Sequence, residues 1–446
     1  MPTPSEDALA RLLARTPKSQ AAQEEGARHL ALEVVPTFSM PTPLYVELAS
    51  GSRVVDIDGN EYLDLAMGFG PHLLGHRPPA VEAAVREALG RAWQTAMLNT
   101  TQHELARLLK ATSPSAELVV FCNTGTEATM YGMRVARAFT GKPAVAVFEG
   151  AYHGAHDYAL IMDDPKSERT EPASRAIGKG IPDVIGDVTV RVLPYRHEAA
   201  FDLIRRHAGE LAAVVVQPVQ NVTPRADNGE FLRALRTVCD ESGVLLMFDE
   251  IVTGFRLALG GGQEYFGVVP DLATHGKALG GGLPIGALSG RADVMSLLSR
   301  GGTKDGVFSG GTFSGNPLSM AAGVAAVTHL RDHQAQIYPY LHEQSARLAA
   351  AVNGFCQAEQ IPAMLMSAES IFCMQFTEGP IESARDLHPV NRAAERAFYL
   401  HLLDQGVLVP GVHVFFLSSA HTPDEVDRII AAFVHSLGQL RAEGLC

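Results

Sequence analysis

The sequence predicts an α/β protein, with a large domain built on a mostly parallel sheet flanked by helices and a small α+β domain assembled from both ends of the chain. Three observations carry this reading. The middle of the 446-residue chain alternates short apolar runs with helical stretches, the pattern of βαβ units. The first four of five such runs end in polar or glycine-rich residues, as strands do where they open onto a ligand site. From about Met320 onward the pattern changes to long amphipathic helices and a mixed tail. With 46% hydrophobic and 19% charged residues, the composition is that of an ordinary globular protein able to bury a large core.

In chain order, Glu6 to Gln23 has helical spacing. Val54-Val55-Asp56-Ile57-Asp58-Gly59-Asn60-Glu61-Tyr62 reads as strand, tight turn and strand, because Asp-Gly-Asn suits a tight turn. The apolar runs are Leu118 to Phe121, Ala144 to Phe148, Ala212 to Val216, Val244 to Phe248 and Ile285 to Leu288, with a helix after the first running to about Ala138. Met162 to Val184 is polar and without period, so it reads as a long mobile loop of the kind that forms lids. Helices are expected over Ala321 to Asp332, Tyr338 to Asn353 and Pro423 to Leu440. The expected domains are residues 1–76 as part of the small domain, 77–325 as the large domain and 326–446 as the rest of the small one.

Composition also narrows the function. A formal net charge of −13 disfavours nucleic acid and anionic membrane surfaces, which need a basic face. The five cysteines (Cys122, Cys239, Cys356, Cys373 and Cys446) are scattered with no Cys-x-x-Cys pair, which argues against a disulfide framework and against a zinc site. No apolar run approaches the ~20 residues of a membrane span. The polar N-terminus lacks the apolar core of a secretory signal, so a cytoplasmic protein is expected.

Lys277 stands out from the other lysines. It is a lone amine in Ala273-Thr274-His275-Gly276-Lys277-Ala278-Leu279-Gly280-Gly281-Gly282, where desolvation would lower its pKa and free it to form a Schiff base with a carbonyl. Upstream, the run Val244 to Phe248 ends at Asp249, a carboxylate placed to keep a pyridine nitrogen protonated, although Asp249 or Glu250 could equally cap the next turn. Ile251 would set an apolar side chain against one face of such a ring. Thr124-Gly125-Thr126 opens a helix, and a helix N-terminus with small residues binds phosphate; the same residues with Glu127 form a capping box. Tyr152 could stack on a ring and His153 help position it, or both could be core residues.

These motifs resemble class-III, fold-type-I pyridoxal-phosphate aminotransferases, and among them glutamate-1-semialdehyde 2,1-aminomutases and their relatives. The resemblance covers about Tyr45 to Ala431. It rests on Phe248 to Arg256, Gly276 to Pro284, Asn123 to Ala128, Tyr152-His153-Gly154 and Gly311 to Pro317, all in the family's order and spacing. It implies that pyridoxal 5'-phosphate is the cofactor, that Lys277 holds it and shuttles a proton, and that Asp249 pairs with its ring nitrogen. Thr124, Gly125 and Thr126 would form the phosphate turn, Tyr152 would stack on the ring, and Gln220 would lie near the phenolic oxygen. Gly311 and Thr312 would reach the phosphate of a neighbouring subunit, implying a homodimer with shared active sites.

The chain departs from the aminomutases on the substrate side. Where those enzymes carry a serine and an arginine for the substrate carboxylate, Pro36 to Pro43 holds Ser39 and Met40 but no arginine. Methionine cannot make the bidentate clamp that arginine makes on a carboxylate. Phe69 replaces a tryptophan, His413 a glutamate, and Gln217 the glutamate before Pro218. The expected activity is ping-pong transamination between a small-molecule amino donor and a carbonyl acceptor, on an aldehyde or amine, a β-amino acid or a carrier-bound intermediate. The alternatives are glutamate-1-semialdehyde aminomutase, with a lid arginine such as Arg169 or Arg175 as clamp, and more distantly a non-catalytic cofactor-binding homologue.

Overall fold

A computed structural model describes residues 3–31, 44–299, 303–377, 379–387, 390–411 and 414–446. The chain divides into two compact units, one of Pro79–Gln334 with Ile381–Asp386, the other of Met1–Pro78, Ala335–Pro380 and Leu387–Cys446.

Among the described residues the larger unit carries a seven-stranded sheet. Its strands are β1 (Leu118–Cys122), β2 (Ala144–Phe148), β3 (Val190–Leu193), β4 (Leu211–Val216), β5 (Leu245–Asp249), β6 (Leu272–Gly276) and β7 (Gly286–Gly290). The order is β1-β7-β6-β5-β4-β2-β3, and β7 alone runs antiparallel to its neighbours. Strands β2, β4 and β5 are buried throughout, as unbroken apolar runs require when helices cover both faces of a sheet. Helix α1 (Gly125–Thr140) starts at the Thr124–Glu127 capping box and ends at Gly141, whose φ of 70° is the left-handed stop that glycine permits. Its Ala128, Tyr131 and Val135 share one core with Val145, Val215, Met247 and Leu288, and each buried Val, Met or Leu among them contributes about 1.5–3 kcal/mol.

Gly286 of β7 faces Gly276 of β6 on one side and Cys122 of β1 on the other. A Cβ there would lie 2.2 Å from the Thr124 carbonyl oxygen, a backbone atom that cannot swing aside. Gly286→Ala is therefore expected to cost about 1–3 kcal/mol, measurable by urea unfolding, and to displace the start of α1. Wild-type stability in that variant would show that the strand relaxes freely.

In the smaller unit, Val46–Ser50, Arg53–Asp56 and Glu61–Asp64 form a meander that Val407–Leu408 joins in parallel. Met364–Ala368, Ile371–Gln375 and Phe415–Phe416 make a second sheet. Helices Gln334–Ala358, Arg392–Asp404 and Pro423–Ala442 accompany them, and Phe398 and Phe415 both pack on Phe433.

Two expectations change. The helix expected over Glu6 to Gln23 is two helices, Pro4–Arg15 and Pro17–Gly26, because proline disfavours helical backbone at the residue before it and Thr16 leaves the helical region. The expected lid loop contains a hairpin, Ile161–Asp163 against Ser174–Ala176, with Met162 opposite Arg175. Ile161, Ala176 and Ile181 pack on the main core, so a few apolar residues order a segment whose polarity suggests none.

Candidate active site

The carboxyl ends of β1, β2, β4, β5 and β6 carry the residues the sequence singles out. Asp249 ends β5 and is buried. It pairs in register with Thr274 of β6, whose Oγ1 donates to Asp249 Oδ1 at 3.1 Å, while the Ile251 N–H donates to the same oxygen at 3.1 Å. The other oxygen, Oδ2, lies 2.7 Å from His153 Nδ1, which places that ring proton on Nδ1. His153 Nε2 is buried and has no hydrogen-bond partner among the described residues. Glu250, by contrast, is a structural cap: it accepts from the Gly262 and Gln263 N–H groups at 2.7 and 3.1 Å. Of the two adjacent carboxylates, only Asp249 is turned to the site.

Lys277 follows Gly276 with φ 44°, a left-handed conformation that is costly for a side-chain-bearing residue and that clusters at functional sites. It is partly buried. Burial lowers its pKa to about 8, opposed by the Asp249 charge and assisted by the nearby Arg256 guanidinium. Ile251 ties these parts together. A Cβ on Gly125 would lie 2.9 Å from Ile251 Cδ1, and one on Gly276 would lie 3.2 Å from it, so both glycines exist to admit this side chain.

At the start of α1, Thr124 Oγ1 accepts from the Glu127 N–H, and Glu127 Oε2 accepts from the Asn123 and Thr124 N–H groups. Helix geometry leaves the Gly125 and Thr126 N–H groups to a ligand. Thr126 Oγ1 accepts from the Ala155 N–H at 3.2 Å and lies 2.7 Å from where a Gly154 Cβ would sit. The turn at the start of α1 thus touches the loop that carries Tyr152 and His153. Tyr152 is 54% exposed, and burial first, then the Asp249 charge, raises its hydroxyl pKa.

Gln217 reads from sequence as a substrate-side change, yet its amide brackets Tyr152: Oε1 accepts from the Tyr152 N–H at 3.4 Å and Nε2 donates to the Tyr152 carbonyl at 3.1 Å. A glutamate could not make the second bond. Gln220 is fully buried, donating to the Glu149 carbonyl at 2.9 Å and accepting from Thr223 Oγ1 at 3.4 Å. Gly311 and Thr312 are exposed, and Gly311 lies close to Asn123 and Ser314.

Phe69 belongs to the smaller unit. Its φ of 66° follows Met67 at 45° in a left-handed turn, where Asp64 Oδ1 accepts the Ala66 and Met67 N–H groups at 2.7 and 3.2 Å. Ser39, Met40 and His413 lie outside the described residues. The lid arginines are engaged: Arg169 donates to Asp386 and Ser383 at 3.3 and 3.1 Å, and Arg175 Nε donates to the Asp163 carbonyl at 3.0 Å. Sequence reasoning missed Thr274 and Arg256. Thr274 was signalled by being a hydroxyl in a largely apolar strand, three positions before Lys277.

A low-pKa amine, a buried carboxylate held by three donors, a helix N-terminus and an aromatic side chain make up a donor set that fits pyridoxal phosphate. The chain matches the class-III aminotransferase family over residues 35–433. It is 36% identical over 406 residues to glutamate-1-semialdehyde 2,1-aminomutase of Methanosarcina acetivorans, covering 89% of this chain and 92% of that one. Among solved structures, an omega-transaminase from Sphaerobacter thermophilus superimposes with a TM-score of 0.88 at 31% identity, over 96% of this chain and 99% of the other. A beta-phenylalanine aminotransferase from Variovorax paradoxus gives 0.86 at 31% identity, over 98% and 97%. The chain therefore belongs to the class-III aminotransferases, and is a fold-type-I enzyme that uses pyridoxal phosphate to move amino groups.

Proposed function

We propose that the enzyme transaminates an amine or β-amino acid, free or carrier-bound, whose α-carbon bears no carboxylate gripped by arginine. The observation that carries this reading is the Pro36 to Pro43 stretch, which has no arginine while the cofactor-side residues are complete. The engagement of Arg169 and Arg175 within the larger unit supports it, since neither is idle and waiting for a substrate. So does the likeness to a transaminase of a β-amino acid.

When bound, pyridoxal phosphate supplies a carbonyl for the amino group and a ring that takes up the electron pair left by breaking Cα–H. The residues around it divide the remaining work. Gly125 and Thr126 offer N–H groups to the phosphate at the positive end of α1. Tyr152 and Ile251 would flank the ring. Asp249 would keep a proton on the ring nitrogen, and His153 and Thr274 hold its two oxygens in place. Lys277 would anchor the cofactor, and its amine would take up the substrate's Cα proton and hold it for return. Gln220 supports the turn below by holding the Glu149 carbonyl.

Gly311 and Thr312 would complete the phosphate site of a second copy of the chain. The exposure of Met97 (76%) and Leu98 (91%), together with that of Trp93, Phe308 and Phe313, supports such a homodimer, because covering such large apolar side chains with a second copy is favourable. Light scattering that returned the mass of one chain would count against it.

The deciding experiment is a panel of amines, β-amino acids and α-amino acids offered to the yellow holoenzyme, with bleaching of its colour as the readout. Amines or β-amino acids should bleach it fastest. Robust conversion of glutamate-1-semialdehyde would instead establish the aminomutase, the reading that the likeness to the Methanosarcina acetivorans enzyme favours.

A further inference from the structure

Ile381–Asp386 belongs to the larger unit, although the chain on either side belongs to the smaller one. Arg385 in this strap places Nε 2.7 Å from Glu149 Oε2 and Nη2 3.2 Å from Asp163 Oδ2. Its Nη1 donates to the Ser167 carbonyl at 2.9 Å and its Nη2 to Ser167 Oγ at 3.2 Å. The neighbouring Ala384 Cβ lies 2.5 Å from where a Cβ on Gly150 would be, so Gly150, at φ 73°, is glycine partly to let the strap close down.

Glu149 is fully buried, and its Oε1 accepts from the Tyr195 N–H at 3.2 Å. Burial pushes its carboxyl pKa up, while the Ser383 hydrogen bond and the Arg385 charge pull it back. A buried ion pair contributes little net stability, yet losing one partner strands the other charge at a cost of several kcal/mol. This pair sits where Glu149 opens the turn Gly150-Ala151-Tyr152-His153, whose last residue holds Asp249. Asp163 and Ser167 belong to the lid hairpin and its turn.

We propose that Arg385 is a positioning residue of the active site, seating Glu149 so that Tyr152 and His153 are correctly aimed and tying the base of the lid hairpin to the same turn. The inference rests on the reading above in which that turn faces the cofactor. Arg385 itself touches no reacting atom.

The test compares holoenzymes. Arg385→Ala should weaken the visible circular dichroism of the bound cofactor and lower kcat by roughly 10- to 100-fold, with a smaller change in KM. Adding Glu149→Gln should recover part of the loss, because no buried charge is then stranded. A variant with a lower melting temperature but wild-type dichroism and kcat in its folded fraction would overturn the proposal. Should Arg385→Ala not fold, Arg385→Lys carries the test: it keeps the charge but loses the fork, so a drop of about tenfold with altered dichroism is expected, and wild-type values overturn. Tyr152→Ala serves as companion. If it too leaves the dichroism unchanged, the placement of the turn at the cofactor fails; if it changes the signal and the Arg385 variants do not, only the role of Arg385 fails.

Discussion

Replacing Lys277 with alanine is expected to lower turnover on the order of 10³-fold or more, because the variant loses both the covalent anchor and the base that moves the Cα proton. The nearby guanidinium offers no substitute. Arg256 is the cation beside the amine, and a guanidinium stays protonated throughout the working range of pH. Borohydride treatment followed by peptide mapping should label Lys277 in the wild-type enzyme and nothing in the variant. Retained transamination, or a label elsewhere, would refute the assignment. The lowered pKa adds a pH signature. Below about 8 the amine is protonated and unreactive, so cofactor uptake by the apoenzyme should rise as pH passes through that value and then level off. Stability follows the same group. The unfolded chain keeps the proton up to the ordinary lysine value of 10.5, so between about 8 and 10.5 the unfolded state binds more protons and the penalty this group places on folding is relieved as pH rises. Below that window the buried ammonium is a burden, and Lys277→Met should melt at a higher temperature than the wild-type apoenzyme at neutral pH while being inactive.

Asp249→Asn should slow the reaction by about 10²–10³-fold, the loss typical of removing one preorganised electrostatic group. The change is nearly isosteric. The Thr274 hydroxyl and the Ile251 N–H can still donate to the amide oxygen, so the fold should survive and the defect should lie in the chemical step. A substrate deuterated at Cα should show a larger isotope effect in the variant than in the wild type. A near-normal rate would mean that another group carries the charge opposite the ring nitrogen.

The parts of this site that were readable in the sequence are those with local contrast. Lys277 is an amine among glycines and aliphatics, and Asp249 a carboxylate at the end of an apolar run; each contradicts its surroundings, and the fold makes use of the contradiction. The parts that were not readable depend on contacts between distant segments. Nothing near Gln217 says that its amide will bracket the Tyr152 main chain, and nothing near Arg385 names Glu149 as its partner. Ile251 was readable as a ring contact but not as the wedge that explains Gly125 and Gly276. The lid hairpin escaped because its few apolar residues find their partners in the main core rather than in each other. The break at Pro17 was written in the sequence, yet it is outweighed in a periodicity argument that does not treat proline separately.

The antiparallel strand β7 has a consequence for when the enzyme becomes competent during synthesis and folding. It is the last of the seven strands to leave the ribosome, and it fills the gap between β1, made early, and β6. Until it slots in, β1 has no neighbour in the sheet, and the turn it leads into is held through the packing of α1 on β2, β4 and β5. Joining such distant segments is itself a slow step, so yellow colour in a refolding mixture is expected to appear with completion of the central sheet.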